Sequence, residues 1–555
     1  MSQRIVLGSS AHIDTFARDR LPAVDTWPTL EFTIPEVQYP ERLNAAEALL
    51  DQTIARYGSD RVALIVPAAG KDRPDLRWTY GELRDHVDRI AHALVDDFGI
   101  VPGNRVILRI PNNEWAVATW LAVIKVGAVV VTTMVAWNAT ELGKTASRTL
   151  PSLMLVDHRF AAGITEDDVA GARIVIVGGE ADELLRAAAE KPSSFDAVDT
   201  SADDVVLLGP TSGTTGQPKI TMHFHRDVLA IADTFAVREL RLQPDDIAAC
   251  SAPFAFTFGL GALVVFPLRT GGAAVLLEKG APTVLADVIE QYGVTILFTA
   301  PTGYRTLLKE GRADALRRLR IGVSAGEHLP KDTFEQVERQ TGLRLVNGIG
   351  GTEMLHVFLS ATGDDIRPGA TGRPIAGFRA AILDDEGNEL PDGAQGRLAV
   401  IGPTGCRYLD DERQSVYVQN GWNITGDSYI RDEDGYYHYQ SRIDDIIVTA
   451  GYNVGALEIE ILLNEHPAVV ESAVVGRPDP EKGMIVNAFV VLAADAQSDE
   501  GILDSLRDHL KERVVSYKLP RRFDVVDELP HNASGKLQRF PLRQRAAEDA
   551  AALAR

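Results

Sequence analysis

Residues 205–219 read VVLLGPTSGTTGQPK. The apolar run Val205–Leu208 has the signature of a buried strand, and it opens into Thr211-Ser-Gly-Thr-Thr-Gly-Gln-Pro-Lys219. A loop of hydroxyls and small residues lets the backbone wrap closely around a polyphosphate, with N–H groups as donors. Lys219 adds a compact positive charge. A Walker A loop, G-x-x-x-x-G-K-[ST], does not fit: Gly213 and Gly216 stand too close together, and Lys219 does not follow a glycine.

Outward from this loop, helical and strand signals alternate. The helix-period segment Tyr80–Phe98 precedes the β-branched run Arg105–Ile110; Ala286–Tyr292 precedes Val294–Phe298, and Thr333–Thr341 precedes Leu343–Asn347. Such alternation predicts parallel sheets covered on both faces. From about Asp384–Gly396 to Tyr439 the texture is turn-rich and β-rich. A boundary falls near Ser441–Asp445, followed by a compact α+β pattern: helix Ala456–Asn464, strands Val469–Gly476 and Asn487–Ala493, helix Gly501–Val514 and strand Arg522–Val526. The expected fold is therefore α/β, with a large N-terminal domain (1–443) of several subdomains and a small α+β C-terminal domain (444–555).

The chain has 555 residues, 56 Lys+Arg against 78 Asp+Glu, and a net charge of −22. A surface this acidic is not expected to hold nucleic acid or an anionic membrane. The apolar stretch Trp115–Val135 is long enough to span a bilayer, but Lys125 and Gly127 interrupt it; a buried helix, a turn and a buried strand are expected. The N-terminus lacks the apolar core of a signal peptide. With two cysteines, Cys250 and Cys406, there is no disulfide framework and no Cys-based zinc site. A cytoplasmic enzyme is expected.

Three further motifs carry chemistry. Gly348-Ile-Gly-Gly-Thr-Glu353, after an expected strand Leu343–Val346, reads as a glycine-rich turn offering a hydroxyl to phosphate and a carboxylate to a hard cation. Gly421-Trp-Asn-Ile-Thr-Gly-Asp427 places an aspartate after a tight turn, where it can accept from both ribose hydroxyls or simply close an Asx-turn. Leu529-Pro-His-Asn-Ala-Ser-Gly-Lys536 ends in a lysine that, by itself, is an ordinary surface residue. No GxSxG elbow occurs, so no covalent nucleophile is indicated.

Together these motifs make the chain resemble the adenylate-forming superfamily of acyl- and aryl-CoA synthetases, carrier-domain adenylation domains and luciferases, from about residue 40 to 545. The resemblance implies ATP, Mg²⁺ and coenzyme A. It assigns Thr211, Ser212, Gly213, Thr214, Thr215, Gly216 and Lys219 to the β- and γ-phosphates, with Ile220 replacing the usual glycine. It assigns Thr352 to the α-phosphate, Glu353 and Thr214 to Mg²⁺, Asn347, Gly348 and Ile349 to adenine, and Asp427 to ribose. Arg442 would contact the nucleotide, Asp444 would be the hinge, and Gly451 would line the pantetheine channel. Ala456 replaces a common family proline. Lys536 matches the mobile catalytic lysine, an electrostatic role in adenylation.

His225-Arg226-Asp227 stands in place of a family His-Arg/Lys-Asn trio, and Met222-His-Phe-His-Arg-Asp resembles ligases acting on 2-aminobenzoate. Phe254-Ala-Phe-Thr-Phe-Gly-Leu-Gly261, read as a turn, and Glu353-Met-Leu-His-Val-Phe358 resemble benzoate-type ligases. By position the acid slot would comprise Phe256, Thr257, Phe258, Ala325, Gly326, Gly350, His356 and Val357. Flat walls of this kind suit one aromatic ring. The expected reaction is aryl–AMP formation and then transfer to CoA, on an ortho-substituted benzoate such as salicylate or 2-aminobenzoate. The alternatives are benzoate itself, or a carrier protein as acceptor. A small aryl acid, ATP and CoA are the expected partners, and a homodimer is the candidate assembly.

Overall fold

The structure, a computed structural model, describes residues 7–68, 75–211, 218–449, 452–479, 483–493, 496, 500–511, 513–531 and 537–553. The chain divides into two compact units, 1–380 with 399–424, and 381–398 with 425–555.

In the first unit a six-stranded sheet runs in the order Arg173–Val177, Leu153–Asp157, Arg105–Arg109, Val129–Thr132, Val205–Thr211, Lys219–Phe224. Its pairs are parallel except the last, where Val205–Thr211 turns back antiparallel into Lys219–Phe224. The second sheet has nine strands among the described residues. Its centre is parallel: Ala273–Val275, Ile247–Cys250, Ile296–Thr299, Ile321–Ser324 and Val346–Gly350. Antiparallel strands close both edges, Leu76–Thr79 at one and Val357–Ser360 with Arg373–Pro374 at the other. The central strands are buried along most of their length, as parallel strands covered on both faces must be.

Two helices that flank the sheets begin at side-chain caps. Tyr80–Asp96 starts from a reciprocal capping box of Thr79 and Glu82. Glu114–Lys125 starts from Asn113, whose side chain accepts from two backbone N–H groups, and is followed by the buried strand Val129–Thr132. Lys125, the charge that interrupts the apolar run, is 2% exposed and sits 2.6 Å from Asp88 and 3.0 Å from Asp51. Two carboxylates offset the cost of taking its ammonium out of water. No helix among the described residues is long and apolar enough to cross a membrane.

In the second unit, helix Ala456–Asn464 and helix Glu500–Lys511 pack Ile459, Leu463, Leu506 and Leu510 against Val474, Val486 and Ala488 of a separate sheet. That sheet pairs Tyr452–Gly455, Ile446–Thr449, Gly483–Leu492 and Val469–Asp479, with Arg522–Val525 beside Gly483–Leu492.

Three motifs lie on elements other than those expected. Gly348, Ile349 and Gly350 belong to the strand Val346–Gly350, antiparallel to Val357–Ser360; Gly351 is still extended, and the chain turns in the 3₁₀ segment Thr352–Met354. Glycine serves closeness there: a Cβ on Gly350 would lie 2.4 Å from the His356 carbonyl oxygen. Asp427 sits inside the strand Trp422–Arg431, directly opposite Arg442. Thr257–Leu260 forms a short helix that continues through Gly261–Val265, in place of a turn.

Candidate functional site

The end expected to hold phosphate is built from three pieces of the first unit. Thr211 and Lys219 face each other across the antiparallel pair, so they mark the base of a hairpin. Ser212, Gly213, Thr214, Thr215 and Gly216 lie outside the described residues. Thr352 lies against this base: a Cβ placed on Gly209 would be 3.1 Å from its Cγ2. The third piece is Tyr408, fully buried, whose hydroxyl donates to Glu353 Oε1 at 2.5 Å. Lys219 Nζ donates to the same hydroxyl at 3.4 Å, 5.2 Å from the ring centroid. Tyr408 thus joins the lysine and the carboxylate. Burial, with Glu353 beside it, pushes the phenol well above its ordinary pKa, so the hydroxyl keeps its proton.

Tyr408 is held by its backbone, which runs antiparallel along the strand Lys219–Phe224. Met222 N donates to Arg407 O, and Leu409 N donates to Ile220 O. Beneath it, Arg407 and Asp227 form an ion pair with both side chains at 0% exposure. Burial, the largest influence, opposes the charge on Asp227, but Arg407, His223 and Arg226 together outweigh it and hold the carboxyl below its usual range. His225 accepts from Ala45 N–H at 3.0 Å, and burial pushes it down to about 3. His225 and Asp227 of this trio are parts of the buried scaffold.

The expected acid slot is also in the first unit. Gly350 pairs with Val357, Ser324 pairs with Asn347, and Ala325 and Gly326 continue from Ser324. Gly326 has φ +86°. His356 stacks on Phe258 at 5.8 Å between centroids and is flanked by Phe266 at 4.6 Å and Phe235 at 5.5 Å. Neither ring nitrogen of His356 has a well-aligned hydrogen-bond partner among the described residues, the nearest approach being the Phe258 backbone. Burial drives its pKa down to about 3, with the Phe258 backbone pulling the other way, so the imidazole is neutral. Phe256 is the residue before the Thr257 helix, its N–H donating to Pro253 O. The Asn347 side chain donates to Ala370 O at 3.3 Å. Both cysteines are free and buried, Cys250 pushed up to about 12 by that burial, which leaves a protonated thiol unsuited to attack.

In the second unit, Arg442 Nη1 donates to Asp427 Oδ1 at 2.9 Å across the strand pair. Asp427 is 6% exposed. Asp444 lies in the short 3₁₀ turn Ile443–Asp445. Gly451 and Lys536 fall outside the described residues. His531 forms a bridge with Leu537, and Gln538 N donates to Pro530 O.

Residues 50–407 match the family model for the AMP-binding enzyme, and 458–536 match that for the AMP-binding enzyme C-terminal domain. The chain belongs to the AMP-binding enzyme family. It is an AMP-forming acid–CoA ligase by class. A benzoate–CoA ligase of Thauera aromatica is 32% identical over 92% of this chain and 98% of its own. A 4-hydroxybenzoate–CoA/benzoate–CoA ligase of Rhodopseudomonas palustris is 32% identical over 90% and 94%. Among solved structures, the anthranilate–CoA ligase AuaEII in complex with anthranoyl-AMP superposes with a TM-score of 0.85 at 30% identity, covering 93% of this chain and all of that one.

For an AMP-binding enzyme, the residue that the motifs leave out is Tyr408. Gly405-Cys-Arg-Tyr408 carries no phosphate or metal signature, and its contacts are to residues 55 and 189 positions away. Only the pairing of segment 407–409 with the strand after Lys219 brings it to Glu353.

Proposed function

We propose that the chain is an ATP-dependent aryl–CoA ligase acting on a benzoate with an ortho hydroxyl or amino group. Its acid attacks the α-phosphate of ATP to give aryl–AMP and pyrophosphate, and the thiol of CoA then takes the acyl group. The single observation that carries the substrate is His356. A neutral, buried imidazole among Phe235, Phe258 and Phe266, whose nitrogens have no well-aligned partner among the described residues, has hydrogen-bonding capacity that a ring substituent can satisfy. Similarity to a ligase crystallised with anthranoyl-AMP supports the same reading.

In this reading Thr211, Lys219 and Thr352 hold phosphate oxygens, Asn347, Gly348 and Ile349 border the adenine, and Asp427 and Arg442 serve the ribose side. Lys536 neutralises charge between the attacking carboxylate and the α-phosphate, and Asp444 is the hinge that withdraws it before Gly451 admits pantetheine. The donors suit magnesium. Among the described residues no three His, Cys, Asp or Glu side chains cluster as a cage, and Glu353 offers one carboxylate, the pattern of an ion shared with substrate phosphates. When bound, the ion neutralises charge on the phosphate oxygens.

Unsubstituted benzoate is the second reading, supported by the Thauera and Rhodopseudomonas relatives. CoA-dependent AMP formation with benzoate, salicylate, 2-aminobenzoate, 4-hydroxybenzoate and a medium-chain fatty acid tests both. The ortho-substituted acids should have the highest kcat/KM. Preference for benzoate selects the second reading, and activity confined to the fatty acid refutes both. Replacing CoA by a phosphopantetheinylated carrier tests the acceptor.

A further inference from the structure

We propose that Tyr408 is a positioning residue for adenylation, orienting the Glu353 carboxylate toward the cation–polyphosphate and setting the resting place of Lys219. The inference rests on Glu353 as the metal carboxylate. Tyr408 is fully buried, so its hydroxyl has no access to bulk water and its hydrogen bonds go to protein. It donates to Glu353 Oε1 at 2.5 Å, a short contact of a neutral donor with a charged acceptor. That bond fixes one carboxylate oxygen and leaves Oε2, which lies on the Gly351 side, as the free corner for a cation.

The same hydroxyl accepts from Lys219 Nζ at 3.4 Å. This second bond is long, and Lys219 is half-buried at the end of its strand. The lysine is therefore loosely parked and can be drawn off by a phosphate at small cost. The carboxylate, in contrast, is firmly held. The ring itself cannot swing away. Its backbone is bridged to Thr221, its N–H donates to Gln414 Oε1 at 2.9 Å, and Tyr417 packs edge-on at 5.9 Å. A fixed donor behind a ligating carboxylate sets both its orientation and its basicity, and removing such partners typically costs about 10- to 100-fold in metal affinity or activity.

The test is Tyr408→Phe in the full-length enzyme, which deletes one oxygen and keeps the ring. Two readouts are used: ATP–pyrophosphate exchange as a function of Mg²⁺, and Mn²⁺ binding in the presence of a non-hydrolysable ATP analogue, followed by electron paramagnetic resonance. The Mg²⁺ concentration for half-maximal exchange should rise about tenfold or more, with most of the rate recovered at saturating Mg²⁺. Mn²⁺ affinity should fall by a similar factor. Unchanged Mg²⁺ dependence and Mn²⁺ affinity would overturn the proposal. So would a loss of rate that no Mg²⁺ concentration restores, since that marks a packing role. Glu353→Gln separates the two readings. If it leaves Mn²⁺ affinity intact, Glu353 is not the metal carboxylate. If it abolishes that affinity while Tyr408→Phe does not, only the role of Tyr408 falls. On the Glu353→Gln background, Tyr408→Phe should add nothing further.

Discussion

Gly261→Ala examines the acid slot through His356 without replacing any residue assigned to substrate. A Cβ at this position would lie 2.6 Å from both Cδ2 and Nε2 of His356 and 2.8 Å from Cζ of Phe266, where ordinary contact begins at 3.4 Å. The imidazole must therefore retreat by about 0.8 Å, the difference between the two distances. It has little room: Phe235, Phe266 and Phe258 surround it at 5.5, 4.6 and 5.8 Å between ring centroids, and Phe258 is the ring it stacks on. Overpacking of this kind costs about 1–3 kcal/mol, and the helical gain of alanine over glycine returns about 1. If His356 and Phe258 wall the slot, the strain appears as lost acid binding, a drop in kcat/KM for the aryl acid of about tenfold. The KM for ATP should hardly move, because Thr352 and Lys219 are untouched. Steady-state kinetics with each substrate varied in turn, beside a thermal melt, measure this. A variant with a lowered melting temperature and parental kcat/KM for the acid would refute the slot.

The other predictions follow from single groups. Lys536→Ala should lose adenylation by orders of magnitude yet still transfer the acyl group from preformed aryl–AMP to CoA; an equal fall in both half-reactions would contradict the division of labour. Asp427→Asn should raise the KM for ATP about tenfold, measured by pyrophosphate exchange, since it weakens the charge-assisted bonds offered to ribose hydroxyls and to Arg442. Arg407→Met should cost about 3–5 kcal/mol in urea denaturation, because it leaves the fully buried Asp227 carboxylate uncompensated. His225 and His356, both held near pKa 3 against an ordinary 6.5, should make the protein acid-sensitive. Above pH 6.5 they are neutral folded or unfolded and contribute nothing. Below it the unfolded chain takes up protons that the native state refuses, so stability falls toward pH 3, by about 2 kcal/mol per histidine at pH 5. His356→Asn should therefore lose less stability than the parent between pH 7.5 and pH 5, and equal losses would count against a buried neutral imidazole.

How far the sequence speaks depends on the range of the interaction that fixes each element. Helix Ala456–Asn464 is legible from its apolar pattern, and Glu114–Lys125 with Val129–Thr132 from a long apolar run, the Asn113 cap and the break before the strand. The strand expected from Leu343 begins instead at Val346. Leu343 N is taken by Thr341 Oγ1, and pairing with Val323 and Ser324 starts only at Val346 and Asn347. The glycines after it look like a turn from sequence, since freedom of φ is the usual reason for glycine. Here the reason is a neighbouring carbonyl 2.4 Å from where a Cβ would stand, a cross-strand fact with no local trace.

The candidate site divides along the same line. Motifs assigned to a ligand on contiguous residues, such as Gly348–Glu353, can be recognised because a ligand would impose residue types at fixed spacing. Residues that serve other residues carry no such imprint. Asp227 stands within a recognisable trio, but its partner Arg407 is 180 positions away, and that pair anchors the segment bearing Tyr408. From sequence, Asp227 therefore reads only as one residue of a family trio, whereas its contacts make it the counter-charge under the segment bearing Tyr408. The substitution that distinguishes these views is Asp227→Asn combined with Arg407→Met. Removing both charges should restore most of the stability that Arg407→Met alone loses, as happens when neither ion is left buried without its partner. If Asp227 serves ATP directly instead, the double variant will be as stable as predicted but will bind ATP no better than a protein lacking a nucleotide site.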